Sequence, residues 1–105
     1  MKVPDGKTIT ITFVSHQVKD HKMRWAANVT FPAGAGPDAA LPVHVEDGEG
    51  APVESGALEL AGRCVKIAGG EGELAYADFV AGKHETAIWL RRPGIEPVPG
   101  SLTFA

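Results

Sequence analysis

Residues 43–95 read VHVEDGEGAPVESGALELAGRCVKIAGGEGELAYADFVAGKHETAIWLRRPGI, and they are the most informative part of the chain about architecture. Short segments that alternate apolar and polar residues are separated by Asp-Gly, Gly-Gly, Ala-Gly and Pro-Gly pairs. Alternation with a period of two is typical of half-buried β-strands, and these pairs are typical of the turns between strands. The stretch therefore predicts a small antiparallel β-sandwich, with one of its strands at residues 63–68. The apolar side chains expected to fill the space between its sheets are Leu58, Leu60, Val65, Ile67, Leu74, Tyr76, Phe79, Ile88 and Leu90.

Two further strands are predicted before this stretch, at residues 8–14 and 23–31, where apolar and polar residues also alternate. In the first of them, Ile9, Ile11 and Phe13 share the face that is expected to be buried. They form an N-terminal hairpin over residues 8–31, with a polar loop between the strands. Residues 32–42 are rich in Gly, Pro and Ala and predict a flexible connector, which leaves residues 43–105 as the sandwich core. Because a lone hairpin needs another sheet to pack on, the whole chain is predicted to be one domain.

The composition agrees with an all-β fold of about seven or eight strands. The chain has 105 residues, with 13 glycines and 8 prolines, and this length is enough for one core without metals or disulfides. The only cysteine, Cys64, is expected to fill a strand position as a small apolar residue. A net charge of -3 argues against nucleic acid as a partner, and no apolar segment is long enough for a membrane span. The N-terminus lacks the apolar region of a signal peptide, so we expect a cytoplasmic protein or an exported one whose leader has been removed.

The order of short motifs in this stretch resembles the carboxypeptidase regulatory-like and collagen-adhesin B-type repeats, over about half the chain. The motifs are DGEGAPV (47–53), GALEL (56–60), GEGELAY (70–76), FVAG (79–82), HETAIWL (84–90) and PGI (93–95). The resemblance implies a β-sandwich with prealbumin-like (transthyretin-like) topology. His84 stands where the family usually has Tyr, and Ile95 where it has an aromatic residue. The hairpin at 8–31 is not part of the family pattern and favours a more immunoglobulin-like sandwich as the alternative.

Trp89 is the best candidate for a binding residue. If Ile88 and Leu90 face the core, then Ala87, Trp89 and Arg91 face outward, because successive side chains on a strand alternate between its two faces. An exposed Trp beside an Arg is typical of an interface anchor. The other interpretation is that the N-terminal hairpin covers Trp89, and the same question applies to Trp25.

No catalytic residue and no cofactor is predicted. The sequence has neither a nucleophile elbow nor a phosphate-binding loop. His16 and His21 share one polar segment and could approach a metal together with Asp20, but loop histidines are more often solvated, and no metal site is predicted. The acidic run around Asp47 lacks the ligand spacing of a calcium loop and is expected to be a solvated turn.

The leading hypothesis is a non-catalytic β-sandwich module that binds a protein partner or assembles with itself through Trp89, Arg91 and Ala87. The first alternative is a carbohydrate-binding accessory domain, which would need two or more coplanar exposed aromatic residues. The second alternative is a small hydrolase or metal-binding protein that uses His16 and His21.

Overall fold

The computed structural model describes residues 6–18, 21–34, 38–60, 62–77 and 88–104. These residues form antiparallel strands, which confirms the prediction of an all-β fold with seven or eight strands. The strands are β1 (Thr8–Val18), β2 (His21–Thr30), β3 (Ala40–Asp47), β4 (Ser55–Leu60), β5 (Arg63–Ala68), β6 (Glu71–Ala75), β7 (Ile88–Arg91) and β8 (Val98–Phe104).

The strands close into a barrel in the order β1-β2-β3-β6-β5-β4-β7-β8, with β8 paired to β1. The predicted sandwich would instead hold two separate sheets face to face. Both architectures bury one face of every strand, so both produce the same alternation along the sequence. The difference lies in pairs between distant segments, such as Ile9 with Phe104, which alternation does not encode.

At two places in the barrel wall, neighbouring strands share only one or two register pairs, and these places are called the narrow junctions below. Between the described strands, β5 and β6 share the single register pair Ala68 and Glu71. Strands β7 and β8 share two pairs, Trp89 with Pro99 and Leu90 with Val98. These junctions divide the wall into a long arc, β8-β1-β2-β3-β6, and a short arc, β5-β4-β7.

The N-terminal hairpin is part of the barrel wall. Strand β1 pairs with β8 and β2 pairs with β3, so the hairpin adds strands to the sheet and does not lie on the face of another sheet. The loop predicted between its strands is short, because β1 continues to Val18 and β2 begins at His21. The two strands extend into the polar segment because pairing between their backbones does not require apolar side chains. The end of the predicted connector, residues 40–42, belongs to β3.

Inward-facing side chains form one apolar core inside the barrel. The predicted inward set of β1, namely Ile9, Ile11 and Phe13, is buried, and so is Trp25 of β2 at 5% exposure. Of the other predicted core residues, Phe79 lies outside the described residues, and Val65 and Tyr76 are partly buried against the core. The remaining predicted core residues are fully buried: Leu58, Leu60, Ile67, Leu74, Ile88 and Leu90.

Two interior positions hold glycine, and large neighbours fill the space. A Cβ atom at Gly100 would lie 2.6 Å from Ile11 Cγ2 and 2.6 Å from Phe13 Cε1. A Cβ atom at Gly72 would collide with the Ile67 side chain. Small barrels are filled in this way, with small residues opposite large ones.

Candidate functional site

Trp89 lies on the outer face of β7. Its neighbours Ile88 and Leu90 are buried at 3% and 0% exposure, whereas Trp89 is partly exposed and Arg91 is exposed. This is the orientation that the alternation predicted for Trp89 and Arg91. The third predicted residue, Ala87, lies outside the described residues. A binding role for these residues stays a prediction.

The strand register shows which side chains share this outer face. Directly opposed residues in an antiparallel sheet point to the same side. Trp89 is opposite Glu59 on β4 and Pro99 on β8, and Glu59 is in turn opposite Cys64 on β5. The adjacent row joins Arg91, Ala57 and Lys66. These two rows, Pro99-Trp89-Glu59-Cys64 and Arg91-Ala57-Lys66, are called the Trp89 face below.

The described part of the N-terminal hairpin does not lie over this face. In the barrel wall, β8 lies between β7 and β1, and β2 follows β1. The interpretation in which the hairpin covers Trp89 is therefore wrong for the part of the hairpin that the structure describes. The same topology answers the question about Trp25, which points into the core from β2.

An ion pair beside Trp89 fixes two of the charges on the face. Arg91 Nη2 donates to both carboxylate oxygens of Glu59, at 2.9 Å to Oε1 and 3.0 Å to Oε2. The hydrogen bonds to Glu59, followed by its negative charge, raise the pKa of Arg91 above the ordinary value for arginine. The guanidinium therefore stays charged throughout the physiological pH range.

Cys64 lies on the outer face of β5. It occupies a strand, as expected, but it is exposed and carries a free thiol. The reason is the phase of the alternation in β5, where the inward positions are those of Val65 and Ile67.

An acidic face lies on β3 and β6, formed by Glu46, Glu71 and Glu73 around His44. His44 Nδ1 lies 3.0 Å from Glu71 Oε1, and its Nε2 lies 3.6 Å from Glu46 Oε2. Strand β3 is four strands from β7 in the barrel of eight, so His44 and Trp89 lie on opposite sides of the wall, whereas β6 of the acidic face adjoins β5 of the Trp89 face.

A cavity of about 560 Å³ opens at one mouth of the barrel. Three segments meet there: the start of β2 at residues 23–25, the turn after β3 at residues 47–49, and the segment after β7 that contains Arg92, Pro93 and Ile95. This site is not predicted by the sequence, because it depends on which loops meet at the same mouth. The Arg-Arg pair at residues 91–92 was the available indication, since adjacent residues at a strand end point in different directions.

The acidic turn at this mouth has a structural role. Asp47 Oδ1 accepts hydrogen bonds from the backbone N–H groups of Glu49, at 2.8 Å, and Ala51, at 3.0 Å. This arrangement is an Asx turn, in which the carboxylate replaces a backbone acceptor. Asp47 is therefore engaged by the backbone of its own turn.

The side chains of His16 and His21 lie outside what the structure describes. Within the described ranges, no group of three or more His, Cys, Asp or Glu side chains is arranged to hold a metal ion. In the same ranges, no helix has the length and apolar character needed to cross a bilayer.

Comparison with known proteins does not assign a family. No protein-family model, no curated protein and no solved structure matches this chain.

Proposed function

We propose that this chain is a non-catalytic barrel module that makes protein–protein contacts through the Trp89 face, with a second copy of the chain as the partner. The observation that carries the proposal is a partly exposed Trp89 beside a fixed Arg91–Glu59 ion pair. Trp and Arg are the residue types that most often dominate binding energy at protein interfaces. A pre-formed ion pair also reduces the side-chain entropy lost on association.

Charge complementarity favours a second copy as the partner. The Trp89 face carries Arg91, Lys66 and Glu59, a formal balance of +1 from two positive charges and one negative charge. The acidic face carries three glutamates, a formal balance of -3 with a neutral His44. Because Trp89 and His44, the central residues of these faces, lie on opposite sides of the barrel, the faces favour a head-to-tail contact, which is a heterologous interface.

We also propose that the chain is distantly related to prealbumin-like or immunoglobulin-like modules such as the carboxypeptidase regulatory-like domains. The division of the wall into a long and a short arc supports it, because two arcs joined at narrow junctions approach two facing sheets.

The alternatives have less support. Carbohydrate binding needs two coplanar exposed aromatics, but Phe13, Phe31 and Trp25 are buried. Tyr76 packs edge-on against Phe31, with ring centroids 6.2 Å apart. Among the described aromatic residues, Trp89 therefore has no evident coplanar partner. The hydrolase and metal alternatives rest on His16 and His21, whose side chains the structure does not describe.

Sedimentation velocity tests the proposal. We expect the weight-average sedimentation coefficient of the wild type to rise between about 10 μM and about 1 mM protein at low salt. The rise should shrink at about 0.5 M NaCl, because salt screens the contact between the oppositely charged faces. Trp89→Ala should stay monomeric under all these conditions.

Val14→Ala is the matched control, because Val14 is an exposed apolar residue on the outer face of β1. It should assemble like the wild type, and circular dichroism should show that both variants are folded. A wild type that is monomeric throughout would reject self-assembly, and a Trp89→Ala variant that assembles normally would reject the site.

A further inference from the structure

We infer that the cavity at the barrel mouth binds a small organic carboxylate with an apolar body. This site is separate from the Trp89 face, and the inference does not depend on the proposed self-association. Its volume of about 560 Å³ lies within the range of about 300 to 1,000 Å³ that small-molecule sites occupy.

Apolar side chains form part of the cavity lining. Trp25 is only 5% exposed and presents the edge of the core to the cavity. Ile95 is partly buried against the same core, and Met23 is 36% exposed at the start of β2. Methionine is unbranched and polarizable, so it adapts to ligands of different shape. These side chains offer a surface for a short alkyl chain or a single ring.

Two arginines, Arg24 and Arg92, line the same cavity. Arg92 Nε is shielded from solvent and has no hydrogen-bond partner among the described residues. A buried donor without a partner lowers stability, and the loss is larger for a charged group. The Arg92 side chain passes close to Gly56, where a Cβ atom would lie only 3.1 Å from Arg92 Cδ. The guanidinium is therefore held at the mouth with unmet hydrogen-bonding capacity.

The chemistry of this arrangement favours a carboxylate. A guanidinium presents its N–H groups as a planar fork that matches the two oxygens of a carboxylate. Because Arg92 Nε itself is shielded, we expect an incoming carboxylate to accept from the terminal Nη groups of the two arginines, while its apolar body covers Trp25.

The carboxylates already at the mouth do not meet this need. Asp47 and Glu49 balance the formal charge of Arg24 and Arg92. Asp47 Oδ1 is occupied by two backbone N–H groups of its turn. Glu49 is exposed at the rim, and its charge repels an incoming anion. Removing the charge of Glu49 should therefore strengthen binding of a carboxylate and leave a neutral ligand unaffected.

The tryptophan content of the chain allows a direct assay. The sequence has two tryptophans, so Trp89→Phe leaves Trp25 in the cavity lining as the only one. Octanoate titrated into Trp89→Phe should change Trp25 emission in a saturable way below about 10 mM ligand. Octanamide, the neutral analogue of the same length, should bind about tenfold more weakly or worse.

Charge variants in the Trp89→Phe background decide the assignment. Arg92→Gln should weaken octanoate binding about tenfold without a comparable effect on octanamide. Arg24→Gln provides the same test if Arg92→Gln does not fold. Glu49→Gln should strengthen octanoate binding, because it removes a negative charge at the rim. Lys7→Gln is the matched control, because it removes one exposed positive charge outside the cavity and outside the Trp89 face. The inference is overturned if octanoate causes no saturable change, if octanamide binds equally well, or if Lys7→Gln weakens octanoate as much as the cavity variants.

Discussion

Gly70 holds the β5–β6 turn against β3, and other residue types fit this position poorly. Its φ of +82° lies in the left-handed region, which favours glycine. A Cβ atom there would also lie 2.7 Å from Pro52 Cβ and 3.1 Å from His44 Cε1. Its N–H donates to the Val53 carbonyl at 2.7 Å, and its carbonyl accepts from the Val45 N–H at 2.7 Å. The turn and β3 are therefore joined through this one residue.

Gly70→Ala should lower the free energy of unfolding by about 3 kcal/mol, because backbone strain and the steric clash act together. Gly69→Ala is the matched control, since Gly69 has a φ of +58° but no atom within 4 Å of a Cβ. This control should cost only about 1 to 2 kcal/mol. Urea denaturation of both variants measures the difference, and equal costs would show that the contacts with Pro52 and His44 are unimportant.

Gly100→Ala should destabilise the barrel by about 1 to 3 kcal/mol, because the added methyl group meets Ile11 and Phe13 in a filled interior. Phe13→Leu should recover part of this loss when the two changes are combined, because a smaller side chain leaves room for the methyl group. A double-mutant cycle from urea unfolding measures the coupling energy. Strictly additive effects would contradict direct packing of Phe13 against Gly100.

Many of the core residues could be predicted from the sequence. Alternation predicted that Trp89 faces outward if Ile88 and Leu90 face the core, because each strand exposes one face to the core. It put Trp25 and Phe31 on one face of β2 but left open whether Trp25 is buried. It could not identify the cavity, because Arg24 and Arg92 are 68 positions apart and meet only at the barrel mouth. The phase of β5 was predicted correctly, since Val65 and Ile67 were expected in the core, and this phase leaves Cys64 on the outer face.

At the element scale, the narrow junctions should set the local stability of the wall. Strand β5 meets β6 through one register pair, and β7 meets β8 through two, whereas β1 pairs with β2 along most of its length. Amides with few neighbours in a ladder open through smaller local fluctuations.

Native-state hydrogen exchange should therefore show lower protection for the amides of β5 and β7 than for those of the central part of β1 and β2. Amides of β3 that bond to β2 are the internal control, because β3 is paired on both sides. Equal protection in β5, β7, β1 and β2 would contradict an effect of the narrow junctions on local stability.

Strand positions could be predicted better than strand ends. Strand β5 was predicted with its observed bounds, because Gly62 and Gly69 interrupt the alternation on either side. The hairpin strands β1 and β2 proved longer than predicted, since polar residues there pair through their backbones. Closure into a barrel could not be predicted, because it depends on β1 meeting β8 after most of the chain has intervened.

At the scale of the whole molecule, one apolar cluster joins the long and the short arc. Trp25 lies in the long arc and Trp89 in the short arc, so two single-tryptophan variants report on the two arcs separately. Trp89→Phe and Trp25→Phe should each unfold in urea with a fluorescence transition that coincides with the circular dichroism transition of the same variant. Separate transitions within one variant would show that the arcs unfold independently.

The pairing of β1 with β8 has a consequence for protein engineering. Ile9 lies opposite Phe104, so the first and last strands run side by side and the chain enters and leaves the barrel at the same place. A host protein could therefore carry this barrel as an insert in one of its surface loops with little change in the spacing of that loop. For the same reason, the old ends could be joined by a short Gly-Ser linker and new ends opened at the Gly62 turn. Such a circular permutant should keep every register pair of the wall.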